Sequence, residues 1–153
     1  FGLNGGNLFK IQKRIIYAIE AVLDISLNAG VNPVQNVAIA KRQGIPKRYL
    51  EQTLQILVKN NILVASRGPR GGYRLAKERR KIKILDIIKS VTKEKEINDL
   101  YKSNISKIII QPMINKFLED SMVYLDKVSV EDIYNKYKQK NKDNPIKKVD
   151  FVI

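Results

Sequence analysis

The stretch from Gly44 to Ala76, GIPKRYLEQTLQILVKNNILVASRGPRGGYRLA, leaves few folds open to this chain. It begins with a turn glycine and a proline. Leu50, Leu54, Leu57 and Val58 then recur at helical spacing on one face. The helix is expected from Pro46 to about Asn60, with Asn60 and Asn61 suited to a left-handed end. A short β-type run follows from Ile62 to Ser66. RGPRGGY forms a tip, and Tyr73 to Ala76 return as a second strand. Pro69 and the glycines permit the tight turn. Upstream, Gln35 to Arg42 reads as a short helix broken by Gly44, and Pro46 suits the first position of the next helix. A helix, a glycine turn and a helix are a weak signal alone, since many helical hairpins share it. With the basic hairpin behind them, they give the element order of a winged helix-turn-helix.

The flanking sequence supplies support. Phe9 to Ala29 reads as a helix, with Ile11, Ile15, Ile19, Val22, Ile25 and Ala29 in period, Gly30 as the C′ residue and Pro33 beyond. Ile84 to Val91 reads as a short helix packing back on this domain. Ser103 to Lys127 is the longest helical pattern, and Pro112 should kink it or mark its start. Its apolar residues cover most of the circumference, too many for one stripe. Such a helix needs two partners: its own domain and, most simply, a second copy of the chain. Ile109, Met113, Phe117, Leu118 and Leu125 are the candidate dimerisation residues. Ser129 and Asp132 resemble a capping box opening a last helix to about Gln139. The expected organisation is a winged helix-turn-helix domain over 8–92, a hinge over 93–102, dimerisation and C-terminal helices over 103–140, and a tail over 141–153. The fold class is mainly α with a small β-hairpin wing.

Charge is placed unevenly. Of a net +14, +13 falls in residues 1–95, which carry 19 basic and six acidic side chains. A basic front and a near-neutral back suit a protein that meets a polyanion with one half. Lys47, Arg48, Tyr49, Glu51, Gln52 and Gln55 point outward from the first half of helix 46–60. Recognition helices present such positions to base edges: Arg suits guanine, Gln adenine, Glu the cytosine amine, and Tyr a phosphate. The arginines of the tip suit the negative potential of a narrow minor groove. Lys10, Lys13 and Arg14 oppose the dipole of the first helix, where a phosphate contact and simple solvation are equally good readings.

The chain has 153 residues and neither cysteine nor histidine. This excludes disulfides, Cys/His zinc sites, thiolate-held iron–sulfur clusters and Cys or His nucleophile–base pairs. A carboxylate-bound Mg²⁺ stays open on composition alone, but no metal, cofactor or catalytic residue is expected, and no enzyme. No apolar run approaches the roughly 18 residues of a membrane span, and no apolar leader opens the chain, so a cytoplasmic protein is expected.

The pattern YAIEAVLDIS, IAKRQGIPKRYLEQTLQILVKNNILVASRGPRGGYRLA and IKILDIIKSV resembles the Rrf2 family of bacterial winged-helix regulators. The resemblance runs from Lys10 to about Val91 and continues more loosely to Lys138. IPKRYLEQ and SRGPRGGYRLA carry it most specifically. It implies a long dimerisation helix, homodimers and palindromic operators, with repression the commoner output. By position it places Arg48, Tyr49, Glu51 and Gln52 on the recognition face. Ser66, Arg67, Gly68, Pro69, Arg70, Gly71 and Gly72 fall on the wing, and Tyr73 beside them completes the expected DNA-contacting set. Arg70 stands where many members have Gly or Ala, which makes this wing more basic. Many members also hold an iron–sulfur cluster through three cysteines between the short and long helices. The corresponding TKEKEINDLYKSNISKIII has none, so the chain resembles a clusterless branch. The expected function is a homodimeric, sequence-specific DNA-binding regulator, with a small-molecule or protein effector left open. The alternative is a protein-interaction module with a winged-helix fold and no specific DNA target.

Overall fold

A computed structural model describes residues 9–93 and 100–143. The expected hinge lies mostly outside them, as do the last ten residues with their apolar tip. Helix α1, Lys13–Asn28, is the central support. Ala18, Ala21, Val22 and Ile25 are fully buried along one face, and the helix packs on the other helices of the winged domain and on the second strand of its hairpin. It starts four residues later than expected. Phe9 lies outside it and stacks on Phe117, ring centroids 5.1 Å apart. It stops at Asn28 with Ala29 already extended, so Gly30 is not needed as a left-handed cap.

Helix α2, Asn36–Gln43, ends at Gly44, whose φ of 65° is the left-handed conformation that glycine takes without strain. Helix α3, Lys47–Lys59, follows. Pro46 is its cap rather than its first residue: ψ of 128° turns it out of the helix, while its carbonyl still accepts the Leu50 N–H at 3.0 Å. Leu50, Leu54 and Leu57 are fully buried. Asn61, at φ 61°, takes the left-handed turn expected of the Asn pair and sends the chain into the hairpin.

Strand β1, Leu63–Ser66, pairs antiparallel with β2, Gly72–Leu75, in the register Leu63 to Leu75 and Ser66 to Gly72. Val34, in the loop before α2, bridges Tyr73 on the other edge of β2. A single 3-10 turn, Arg79–Lys81, then leads to helix α4, Ile84–Val91, which buries Ile84, Leu85, Ile87 and Val91.

The long helix carries a π-helical turn at Ser106–Ile110 before the regular α5, Gln111–Lys127. Pro112 explains it. Proline has no N–H for the α-pattern, and its ring crowds the preceding turn. The backbone accommodates this by widening, and the Gln111 N–H reaches the Ser106 carbonyl five residues back. The sharp turn to α6, Val130–Asp143, is fixed by the expected capping box. Asp132 Oδ2 accepts the Ser129 N–H at 2.9 Å, and Ser129 Oγ accepts the Asp132 N–H at 3.1 Å. Hydrogen bonds accepted from Ser129, its backbone N–H first, hold the Asp132 carboxyl below its ordinary value. Helix α6 extends a full turn past the expected Gln139. It is sewn to the winged domain by Ile84 N–H to Val128 O and Val130 N–H to Ile82 O, both 2.8 Å. Arg79 adds an ion pair to Glu131 at 2.9 Å, with its guanidinium 3.6 Å above the Tyr134 ring.

Candidate nucleic-acid interface

The amphipathic pattern of α3 divides its residues cleanly. Leu50, Thr53, Leu54 and Leu57 face the core, which leaves Lys47, Arg48, Tyr49, Glu51, Gln52 and Gln55 exposed. Tyr49, an aromatic residue, is 60% exposed. Thr53 Oγ1 turns inward to the Tyr49 carbonyl at 2.8 Å and does not compete for the outer face. Glu51 has a partner on another helix: its Oε1 accepts from Asn36 Nδ2 of α2 at 3.4 Å.

The wing owes its shape to its glycines. Gly68 has φ of 101°, and the Gly71 N–H closes the tip on the Gly68 carbonyl at 2.9 Å. Gly72 has φ of 154°, and a Cβ there would lie 2.6 Å from the Val34 carbonyl oxygen. Only glycine lets β2 run this close to the loop before α2. Tyr73 and Val34 exchange two backbone hydrogen bonds of 2.8 and 2.9 Å, and Gln35 Nε2 reaches the Pro69 carbonyl at 3.4 Å. Ser66, Arg67, Gly68, Pro69 and Arg70 are exposed, Gly71 is buried within the turn, and Gly72 and Tyr73 are half-buried against the loop and core. Among the described residues, no ion pair engages Lys47, Arg48, Arg67 or Arg70.

Asp24 was not among the expected functional residues. It is 1% exposed in the middle of α1. Arg42 donates to both its oxygens, Nη2 to Oδ1 at 2.8 Å and Nε to Oδ2 at 2.9 Å, and Gln43 Nε2 adds a third bond at 2.9 Å. Hydrogen bonding to Asp24 raises the affinity of the Arg42 guanidinium for its proton. The sequence signal was available, since a carboxylate sits between Val22 and Ile25 on an otherwise apolar face. A buried carboxylate needs such partners. The trio fixes the end of α2, and therefore the turn into α3.

Of the candidate dimerisation residues, Ile109, Met113, Phe117 and Leu118 are exposed, whereas Leu125 is half-buried against the chain's own core.

The Rrf2 family model, described as an iron-dependent transcriptional regulator, matches residues 11–136. The chain belongs to the Rrf2 family. Its curated relatives include the HTH-type transcriptional regulator IscR of Escherichia coli and that of Cronobacter sakazakii, each 43% identical over 75 residues. The aligned segment is 49% of this chain and 46% of each relative, so the chain spans about half the length of the curated relatives it matches. Among solved structures, T. potens IscR superposes with a TM-score of 0.74 at 28% identity, covering 89% of this chain and 93% of that one. CymR (YrzC), the global cysteine regulator of B. subtilis, shares the fold with a TM-score of 0.63 at 23% identity, covering 84% and 98%. Rrf2 members are transcriptional regulators, and the helix-turn-helix with its hairpin is a winged helix. The family description names iron, to which this chain offers neither cysteine nor histidine. Among the described residues, no group of three or more carboxylates, thiols or imidazoles could hold a metal. Likewise, no helix among them is long and apolar enough to cross a membrane.

Proposed function

We propose that two copies of this chain bind a palindromic DNA operator and regulate transcription, most simply by occluding it. Helix α3 enters the major groove, where Arg48 and Gln52 read base edges and Lys47 and Tyr49 hold phosphates. The wing enters the minor groove through Arg67 and Arg70. One observation carries this reading: the exposed cations of α3 and of the wing tip, without ion-pair partners among the described residues, project from two elements braced on one frame, α2 and the loop before it. The excess of basic side chains in the first 95 residues supports a polyanionic partner.

The twofold arrangement is supported by α5. Met113 and Phe117 are 59% and 49% exposed on a helix that already packs its other side on its own domain. Contiguous apolar surface of this kind marks a protein interface. Any effector acts without thiolate-held iron, through contacts to a small molecule or partner protein.

Gel shifts on promoter DNA, challenged with heparin, test the reading. Retained, sequence-dependent complexes are expected. Complexes lost equally for all sequences would favour the alternative, a winged-helix protein-interaction module.

A further inference from the structure

Eight basic residues lie between Arg67 and Lys83, and composition alone treats them as one polyanion-binding set. The structure divides them: Arg79 and Arg80 pair with the carboxylates of Glu131 and Glu78, and Arg74 is held by backbone carbonyls. Arg74, on β2, is half-buried and already engaged. Its Nη1 donates to the Gly30 carbonyl at 2.6 Å and its Nη2 to the Val31 carbonyl at 2.5 Å. These carbonyls lie just past the C-terminus of α1, where the helix dipole favours a cation. Two charge-assisted bonds from one planar fork are a strong, directional contact. We propose that Arg74 is a positioning residue of the wing and not a phosphate contact; this rests on the DNA-binding reading above.

The loop from Gly30 to Asn36 lies along the free edge of β2. The Val34–Tyr73 backbone pair, the contact of Gln35 with the Pro69 carbonyl and the two Arg74 bonds hold the hairpin to it. The loop then runs into α2, where Asn36 touches Glu51 of the recognition helix. Wing and recognition helix therefore share one frame. Without Arg74 the hairpin keeps its base and its two-stranded register but loses the side-chain clamp on that frame. The tip of the free protein then samples more orientations, and ordering it costs part of the binding free energy, while Arg67 and Arg70 still reach their groove in the complex.

A salt titration of DNA binding by the full chain separates a brace from a phosphate contact. The probe is a labelled duplex enriched from random sequences by the wild-type protein. Loss of one phosphate contact flattens the dependence of log K on log salt by about 0.9. Arg70→Gln is expected to show that flattening. Arg74→Gln is expected to weaken binding about tenfold, the scale of one lost charge-assisted bond, at unchanged slope. In the background of Arg67→Gln with Arg70→Gln, adding Arg74→Gln should cost nothing further, because there is no basic tip left to position. General destabilisation would lower affinity in both backgrounds and overturn the proposal. So would a flattened slope for Arg74→Gln alone. If the wild-type chain itself enriches no duplex and binds without salt dependence, the DNA-binding reading fails, and the role assigned to Arg74 fails with it.

Discussion

The Arg42 guanidinium grips the buried carboxylate of Asp24 through two hydrogen bonds of 2.9 and 2.8 Å, tying the last turn of α2 to the middle of α1. Removing Arg42 leaves a desolvated charge with only Gln43 for company. Arg42→Leu should therefore destabilise the chain by about 3 kcal/mol, and Asp24→Asn by less, since the amide keeps the shape without the charge. Urea unfolding measures both. Equal midpoints for Arg42→Leu and wild type would show that the pair is not a fastener.

Gly72 is expected to tolerate no side chain. Its positive φ and the 2.6 Å separation from the Val34 carbonyl oxygen mean that Gly72→Ala must push the hairpin off the loop. A loss of about 1–3 kcal/mol in stability is expected from the strain, together with weaker DNA binding. Gly30→Ala, where a Cβ meets nothing within 4 Å, is the matched control and should be near neutral.

In the proposed function, base reading falls to Arg48 and Gln52. Replacing either with Ala should cost about 1–3 kcal/mol on the preferred duplex and relax preference at one base pair of each half-site. Competition binding against single-base variants reads this directly. Uniform weakening across all variants would instead make these side chains backbone contacts.

Phe117→Asp should convert a dimer into a monomer, because it places a charge in the centre of the exposed apolar face of α5. Sedimentation equilibrium reports the mass. The fold should survive, since Phe117 is half-exposed in the single chain. An unchanged mass would move the interface elsewhere.

The turn into α6 carries a pH signature. Asp132 titrates below its ordinary value of 3.8 because it accepts the Ser129 N–H. Its contribution is thus fully present above about that pH and is lost as pH falls through its depressed folded-state value. Asp132→Asn should lower the urea midpoint at neutral pH, and the difference from wild type should vanish in strong acid. A difference that grows in acid would contradict the hydrogen-bond assignment.

Sequence carried far where local chemistry decides the outcome. The αL glycine after α2, the αL asparagine after α3, the capping box at Ser129 and the glycine tip of the wing were each readable, because backbone geometry there admits few residue types. The stripe of Leu50, Leu54 and Leu57 gave the inner face of α3, and so the outer one. What escaped depended on pairs distant in sequence. Asp24 and Arg42 are 18 residues apart, and Arg74 and Gly30 are 44 apart. Nothing local announces that an arginine in a basic run is already spent on carbonyls. Nor could the period of α5 foretell that Pro112 would be absorbed by a π turn, since a kink and a widened turn satisfy the same missing N–H. Leu125 shares the apolar pattern with Phe117 but packs on its own domain, a distinction set by where the chain reverses at Ser129.

Selection of binding sites from a random duplex library by the full chain shows whether two copies read one operator. Enrichment of an inverted repeat is expected, its half-sites about one helical turn apart, and that enrichment should be lost when Arg48 and Gln52 are both replaced with Ala. A folded protein that enriches no motif, or enriches one without twofold symmetry, would contradict the twofold reading.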